Sequence, residues 1–236
     1  MRMPSLCSTV KCVTMIALST VALVNRALAD PACGLNSVFC QSGTVASTAS
    51  SNSCSDLYSS ASYDLIRGAF TVGYTPGGAA TVAAVDQYRV GGVSPGIPIV
   101  FSVELDVNLR AFPYNCFQAG GPPPTSSASV RLREGDSNQS SASITTPVIC
   151  YPRYCCPQAT YLDQPLRVSV TRLAGELFTL HFDFATSGSG SGQAYGQLRF
   201  SGLPPGAFVA SCQGYRQDFV TAAKRISWGG IKMFYR

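Results

Sequence analysis

Residues suited to acid–base chemistry are few in this sequence. Its 236 residues include one histidine, His181, two positions before Asp183 in a segment of alternating apolar residues. The two side chains would share one face of a strand about 7 Å apart, a spacing that fits a site. Hydrolysis by an activated nucleophile needs a base beside a serine or cysteine. The only lysines after residue 29 are Lys224 and Lys232, near the end of the chain. We therefore favour a solvated strand face over a catalytic pair.

A row of oxygen-bearing side chains occupies another alternating segment. Glu104, Asp106 and Asn108 would share one face of a strand at 97–110. Calcium needs six to eight oxygens converging from tight loops, which a flat strand does not offer. Two carboxylates about 5–10 Å apart are also the requirement of a glycosidase, and this alternative stays open. No motif identifies a reaction, so we predict no enzymatic activity, no bound metal and no cofactor.

Aromatic residues concentrate in and beside two cysteine-rich loops, 112–124 and 147–158. Flat rings stack on the apolar faces of sugars, so exposed rings here would form a carbohydrate-binding surface. The simpler interpretation, which we favour, is that they pack locally and shield the disulfides. The five candidate ligand-binding residues are Tyr114, Phe117, Tyr151, Tyr154 and Tyr161.

The cysteines predict disulfides rather than a metal site. The sequence has ten, of which Cys7 and Cys12 belong to the leader described below. There is no CxxC pair and His181 is not near a cysteine, as a zinc site requires. Eight cysteines allow up to four disulfides in 105 arrangements. We favour a bond from Cys116 to one of the three cysteines in 147–158, and none between the adjacent Cys155 and Cys156. The candidates are Cys33, Cys40, Cys54, Cys116, Cys150, Cys155, Cys156 and Cys212.

The first 29 residues read as a cleavable signal peptide. A basic start precedes an apolar run at 12–24, and Ala27 and Ala29 form a small-x-small cleavage site. The run is too short to span a membrane, and no later segment is comparable. We therefore expect export to the periplasm, the cell surface or the extracellular space, with no transmembrane segment in the mature chain. Removing the leader's three basic residues lowers the formal net charge from +5 to +2. This balance, with no cluster of basic and aromatic residues before the last residues of the chain, argues against a nucleic-acid partner.

Short alternating segments broken by Gly, Pro and Ser predict an all-β fold. The clearest are 97–110 and 177–185, the second with an aromatic inward face. Nine such segments are enough for two packed sheets, so we predict an antiparallel, disulfide-stabilised β-sandwich of jelly-roll type. The predicted strands cover 65–74, 80–90, 97–110, 127–133, 140–146, 166–173, 177–185, 193–200 and 208–212.

Composition divides the chain into four parts. After the signal peptide, residues 30–60 are rich in Ser and Thr, and we predict irregular structure across 41–60. The sandwich domain is predicted at 61–215. The basic and aromatic residues at 216–236 are predicted to form a weakly docked tail.

The segment 197–215, which reads QLRFSGLPPGAFVASCQGY, carries a family resemblance. It resembles the closing strands of bacterial exported β-sandwich proteins of the PEP-CTERM or choice-of-anchor type. The resemblance covers one turn and two strands and implies a bacterial origin and a sandwich fold. The sorted members end in an apolar helix followed by basic residues, and this chain departs from that pattern.

These observations predict a bacterial, exported, non-catalytic module with a structural or interaction role at the cell surface or outside the cell. Its expected partner is a polysaccharide or a cell-surface protein. The first alternative is a carbohydrate-binding module that uses the aromatic loops. The second is a glycoside-active jelly roll with Glu104 or Asp106 as its carboxylate.

Overall fold

The computed structural model describes residues 37–42, 45–47, 51–113, 115–118 and 123–219. The predicted signal peptide, Cys33, Tyr114 and all but the first few residues of the predicted tail lie outside these ranges. The described residues belong to one compact unit.

Seventeen strands, numbered in chain order, make up the regular structure of the described residues. Each of the nine predicted strands overlaps one of them. The strands are β1 (Ser37–Ser42), β2 (Val45–Ser47), β3 (Ser51–Ser55), β4 (Ser59–Asp64), β5 (Ala69–Tyr74), β6 (Ala79–Gly91), β7 (Pro98–Phe112), β8 (Phe117–Gln118), β9 (Ser126–Glu134), β10 (Asn138–Thr145), β11 (Val148–Cys150), β12 (Tyr154–Pro157), β13 (Thr160–Leu173), β14 (Leu177–Gly188), β15 (Ser191–Ser201), β16 (Phe208–Ser211) and β17 (Arg216–Asp218).

The strands form an antiparallel β-sandwich with jelly-roll connectivity, as predicted. Sheet A has the order β10-β9-β14-β6-β1-β2, with β16 also paired to β6 and β17 to β16. Sheet B has the order β13-β7-β15-β5-β4-β3. Among the strands of sheets A and B from β5 to β15, successive strands lie in opposite sheets, except β9 and β10, which form a hairpin in sheet A. This order and this alternation define an eight-stranded jelly roll, which β1 to β4 extend.

The core lies between the two sheets, where alternate residues of each strand point inward. Phe182 and Phe184 of β14 are buried, which confirms the aromatic core face predicted for this strand. Phe70 of sheet B stacks against both, with ring centroids 4.8 and 5.0 Å away. Gly196 leaves room for this stack, because an added Cβ would lie 2.4 Å from Cζ of Phe184. The inward row of β7, from Val103 to Leu109, is also buried as predicted.

The irregular structure expected at 41–60 is wrong for 41–42, 45–47, 51–55 and 59–60, which lie in β1 to β4, and right for 56–58, which lie in no strand. Residues 51–55 and 59–60 lie in β3 and β4, which pair with each other and extend sheet B beyond β5. Up to residue 61 their inward positions hold small residues, such as Cys54, Ser59 and Ala61, and all three are buried. A Ser-rich strand with a small-residue inner face lacks the large apolar alternation on which the prediction relied.

Two strand boundaries also differ from the prediction. The strand expected from residue 65 begins at Ala69, because the preceding residues form a turn in which Gly68 has a φ of 65°. The strand expected from residue 166 begins at Thr160 and runs through Pro165. Proline is tolerated there because β13 is the edge of sheet B and pairs only with β7.

One carboxyl group is buried in the core. Asp86 of β6 has 0% of its surface exposed, and its Oδ1 accepts a hydrogen bond from the backbone N–H of Gln87 at 2.8 Å. The side-chain hydroxyls of Ser211 and Tyr88 also lie beside this carboxyl and lower its pKa, but by less than burial raises it. Burial raises the pKa of Asp86 from its ordinary value of 3.8 to about 6. The carboxylate therefore destabilises the fold once it ionises.

The Asp86→Asn variant is expected to be more stable than the parent above pH 6, by up to about 3 kcal/mol. Because the folded pKa of about 6 exceeds the unfolded value of 3.8, the group favours folding below pH 4 and loses that contribution as pH rises through 6. Urea unfolding of both proteins at pH 4 and pH 8 measures the difference.

The turn residue Asp136, which is exposed, offers a matched control. Asp136→Asn should change the unfolding free energy by less than about 0.5 kcal/mol at either pH. If Asp86→Asn raised the free energy of unfolding equally at pH 4 and pH 8, ionisation of the buried carboxyl would not be the cause of the change.

Candidate functional site

Four connections of the jelly roll meet at one end of the sandwich, which we call the loop end. They join β5 to β6, β7 to β9, β10 to β13 and β14 to β15. The register aligns their strands, since Gly192 lies opposite both Tyr74 and Ala111, and Thr160 is paired with Ala111. The topology therefore brings both cysteine-rich loops to the same end.

Hydrogen bonds hold the bases of these connections together. Ser126 donates its hydroxyl to the carbonyl of Phe112 at 3.0 Å and accepts from the N–H of Gly190, also at 3.0 Å. The hydroxyl of Tyr74 donates to the carbonyl of Ser187 at 2.6 Å. These hydrogen bonds connect the strands at the loop end, from β5 to β14, in addition to the disulfides described next.

The two loops expected to be irregular instead build a small third sheet. Strands β11, β12 and β8 pair in that order. Cys116 is bonded to Cys156, the predicted link between the two loops. Cys150 is bonded to Cys155 across the β11–β12 hairpin, so the adjacent Cys155 and Cys156 have separate partners. Short strands without a core face need such links. Two covalent bonds therefore fix the small sheet.

The bonding of two further predicted cysteines is also defined. Cys54 and Cys212 are also disulfide-bonded. The side chain of Cys40 lies outside the described part of the molecule. Disulfide stabilisation of the fold is therefore present both at the loop end and in the sandwich.

A pair of exposed tyrosines occupies the tip of the β11–β12 hairpin. Tyr151 and Tyr154 are 50% and 49% exposed, and their ring centroids lie 5.0 Å apart at an interplanar angle of 34°. The backbone N–H of Tyr151 donates to the carbonyl of Tyr154 at 2.7 Å. With the Cys150–Cys155 bond one residue behind, the rings have little freedom to turn inward. We call these two residues the tyrosine pair.

The other predicted ligand-binding residues are distributed around this pair. Phe117 lies in the same small sheet, opposite Cys155 in register, and is partly buried. Tyr161 is 61% exposed but lies on β13, where its ring packs edge-on against Phe112 at 5.5 Å. Each of Tyr151, Tyr154 and Tyr161 therefore has one ring neighbour, and Tyr161 is the most exposed of the three.

Sequence reasoning missed three exposed apolar residues at the loop end. Leu57 and Tyr58 form the β3–β4 turn, and Leu57 is 89% exposed. The carbonyl of Tyr58 accepts hydrogen bonds from the backbone and side chain of Thr75, which ties this turn to the β5–β6 connection. Ile149 of β11 is the third. An exposed Leu-Tyr step in a Ser-rich segment was the available signal.

The predicted carboxylate row on β7 is engaged in ion pairs. Glu104 accepts from the Ser201 hydroxyl at 2.8 Å and pairs with Arg167 at 3.3 Å. Asp106 pairs with Arg199 on the neighbouring strand. These contacts cross the outer face of sheet B between flat strands. These ion pairs connect β7 to both of its neighbouring strands.

His181 and Asp183 lie on the outer face of sheet A. The carboxylate of Asp183 pairs with Arg133 at 3.4 Å, and His181 is opposite Arg133 in register. Both residues are partly exposed, in agreement with a solvated strand face.

The described residues contain neither a metal-binding cluster nor a membrane-spanning helix. No group of three or more His, Cys, Asp or Glu side chains within them is arranged to hold a metal ion. No helix in the same part of the chain is long and apolar enough to cross a membrane.

Comparisons with known proteins give little. No family model and no curated protein matches the chain. A solved structure that matches is the enzymatically active domain of bacteriophage CBA120 tailspike protein 4, at 14% sequence identity and a TM-score of 0.24. The match covers 72% of this chain and 19% of that chain, so this chain spans about a fifth of the other's length. A likeness at this TM-score carries no argument about function.

Replacing both Cys116 and Cys156 by serine is expected to lower the free energy of unfolding by about 2–4 kcal/mol. The same change at Cys150 and Cys155 should cost less, because the first bond spans 40 residues and the second spans 5, and a longer loop loses more entropy. Urea unfolding of the two double variants compares them. If the two double variants lost equal free energy of unfolding, or if the Cys150 and Cys155 variant lost more, the bond between the two loops would not be the stronger constraint.

Proposed function

We propose that this chain is a bacterial, exported, non-catalytic interaction module that contacts its partner through the loop end. The observation that carries the proposal is the tyrosine pair, two half-exposed rings held side by side on a hairpin closed by a disulfide. A protein that exposes rigid aromatic surface without using it would incur a cost in solubility. Surfaces with this character are typical of binding sites.

A polysaccharide is the partner that we propose. Sugar rings present flat faces of CH groups to aromatic rings, while their hydroxyls need donors and acceptors nearby. Gln118 is opposite Tyr154 in register and exposed, and Arg153 is exposed within the hairpin. Apolar rings flanked by polar side chains suit a sugar better than an apolar protein surface.

Several features support export and the lack of catalysis. The disulfides of the described residues fit an oxidising compartment, together with the leader-like first 29 residues. The resemblance of 197–215 to exported bacterial sandwich proteins points the same way. The carboxylates once considered for glycoside chemistry, Glu104 and Asp106, are instead bound to arginines.

Retention of the oxidised mature chain on insoluble polysaccharides tests the proposal. We expect retention on at least one of cellulose, chitin, xylan and mannan, with elution by soluble fragments of the same polymer. Retention that survives Tyr151→Ala combined with Tyr154→Ala would place the contact elsewhere. No retention on any polymer would overturn the polysaccharide and leave a protein partner to be sought. Release of soluble sugar that Glu104→Gln abolishes would establish the enzyme alternative.

A further inference from the structure

A second candidate surface lies on the outer face of sheet A, away from the loop end. A cleft of about 570 Å³ crosses β10, β9 and β14. Arg131 of β9 lies about 17 Å along the strand from Ser126 at the loop end. The cleft is therefore a different surface from the tyrosine pair. Its lining residues include Ser129, Arg131, Arg133, Ser141, Ser143 and Asp183.

Small side chains create the cleft. Ser141 lies opposite Arg131 in register, Ser143 opposite Ser129, and Ala185 opposite Ser129 on the other side. Serine and alanine reach only a short way above the sheet, whereas the arginines rise beside them. The result is a shallow strip, and its volume lies within the range of small-ligand sites.

The cleft carries more unused donors than acceptors. Of the described residues that line it, one is acidic, Asp183, and this carboxylate already pairs with Arg133 at 3.4 Å. Arg131 is exposed, and its guanidinium makes no hydrogen bond or ion pair with any described residue. It lies directly opposite Asp183 in register yet remains free, because Asp183 turns to Arg133. A ligand that fits must therefore supply acceptors, including a negative charge.

We propose that this cleft binds a carboxylate group of an acidic polysaccharide chain. The planar fork of Arg131 matches a carboxylate in bidentate geometry. The hydroxyls of Ser129, Ser141 and Ser143 can donate to and accept from the hydroxyls of the sugar ring. Among the described residues, two cations line the cleft and one of them is paired with Asp183, so the repeating phosphates of a nucleic acid are poorly matched. The cleft goes beyond the proposed function, and either site can fail without the other.

Polygalacturonate and its fully methyl-esterified form are the probes, since they share a backbone and differ in charge. Affinity electrophoresis or calorimetry of the oxidised chain should show binding of the acid and at least tenfold weaker binding of the ester. Arg131→Gln should weaken binding of the acid by about tenfold or more. Arg110→Gln removes the same charge from the outer face of sheet B and should leave binding unchanged. Both variants should unfold at the temperature of the parent, since neither residue is buried.

Several results would overturn the proposal. They are no binding of polygalacturonate, equal binding of acid and ester, or equal losses in the Arg131→Gln and Arg110→Gln variants. A second experiment compares the binding of dextran sulfate with that of neutral dextran. Tighter binding of dextran sulfate than of polygalacturonate, lost in Arg131→Gln, would assign the cleft to sulfate esters instead. The Tyr151→Ala, Tyr154→Ala variant should keep its affinity for polygalacturonate, whether or not the loop end binds a neutral polymer.

Discussion

Replacing Phe70 by alanine is expected to lower the free energy of unfolding by about 3–5 kcal/mol. Phe70 is buried in β5 of sheet B, and its ring stacks on Phe182 and Phe184 of sheet A. Its removal takes away one side of the aromatic stack that joins the sheets and leaves a cavity that the paired strands cannot close. Stacked aromatic pairs also contribute beyond their buried area. Urea unfolding followed by far-UV circular dichroism measures the loss.

Phe70→Leu serves as the matched control. It keeps the site apolar and most of its volume, so the expected loss is about 1–2 kcal/mol. An alanine variant that loses less than about 1 kcal/mol would contradict the face-to-face packing of the two sheets at this point.

Replacing both members of the tyrosine pair by alanine is expected to weaken polysaccharide binding by about hundredfold or more. Each ring supplies flat apolar surface that is already ordered before the ligand arrives. The hairpin hydrogen bond between Tyr151 and Tyr154 uses backbone atoms, so it persists in the variant. Because both side chains are half-exposed, the unfolding free energy should change by less than about 1 kcal/mol. Calorimetry with soluble fragments of the retained polymer measures the affinity.

Tyr195→Ala controls for the loss of an exposed tyrosine. Tyr195 lies in the middle of β15, on the outer face of sheet B, and hydrogen-bonds Gln193. Its removal should leave the affinity unchanged. A comparable loss in this variant, or full affinity in the double variant, would show that the tyrosine pair is not the binding surface.

The sandwich could be predicted because large apolar residues alternate in its central strands. β7 and β14 show this pattern over their inward rows, and their burial agrees with it. β3 and β4 could not be recognised, because the residues on their inner face are small except for Tyr63. Ala61 is buried as fully as Phe70, but a small residue among serines does not produce a recognisable alternation of apolar and polar residues. The first half of β13 was not predicted because it contains Pro165. A proline is tolerated in a strand at the edge of a sheet, and only the sheet topology shows that β13 is an edge strand.

Only those features of the candidate site that depend on residues close together in the sequence could be predicted. Cysteines in two long loops were enough to favour a bond from Cys116 to the second loop. The pairing of Tyr151 with Tyr154 and the separation of Tyr161 depend on which sheet each strand joins. The Arg131 cleft needs three strands in register, and β9 meets β14 some fifty residues later in the chain. Such a surface has no signature in a linear pattern.

The most direct test of a saccharide-binding loop end is to observe the tyrosine ring resonances by NMR during titration. Soluble fragments of the retained polysaccharide are added to the oxidised chain, and the Tyr151→Ala and Tyr154→Ala single variants assign the two rings. We predict saturable shifts at both rings with the dissociation constant found by calorimetry, and none at Tyr195. Shifts confined to residues outside the loop end, with both rings unmoved at saturating ligand, would contradict the proposed function.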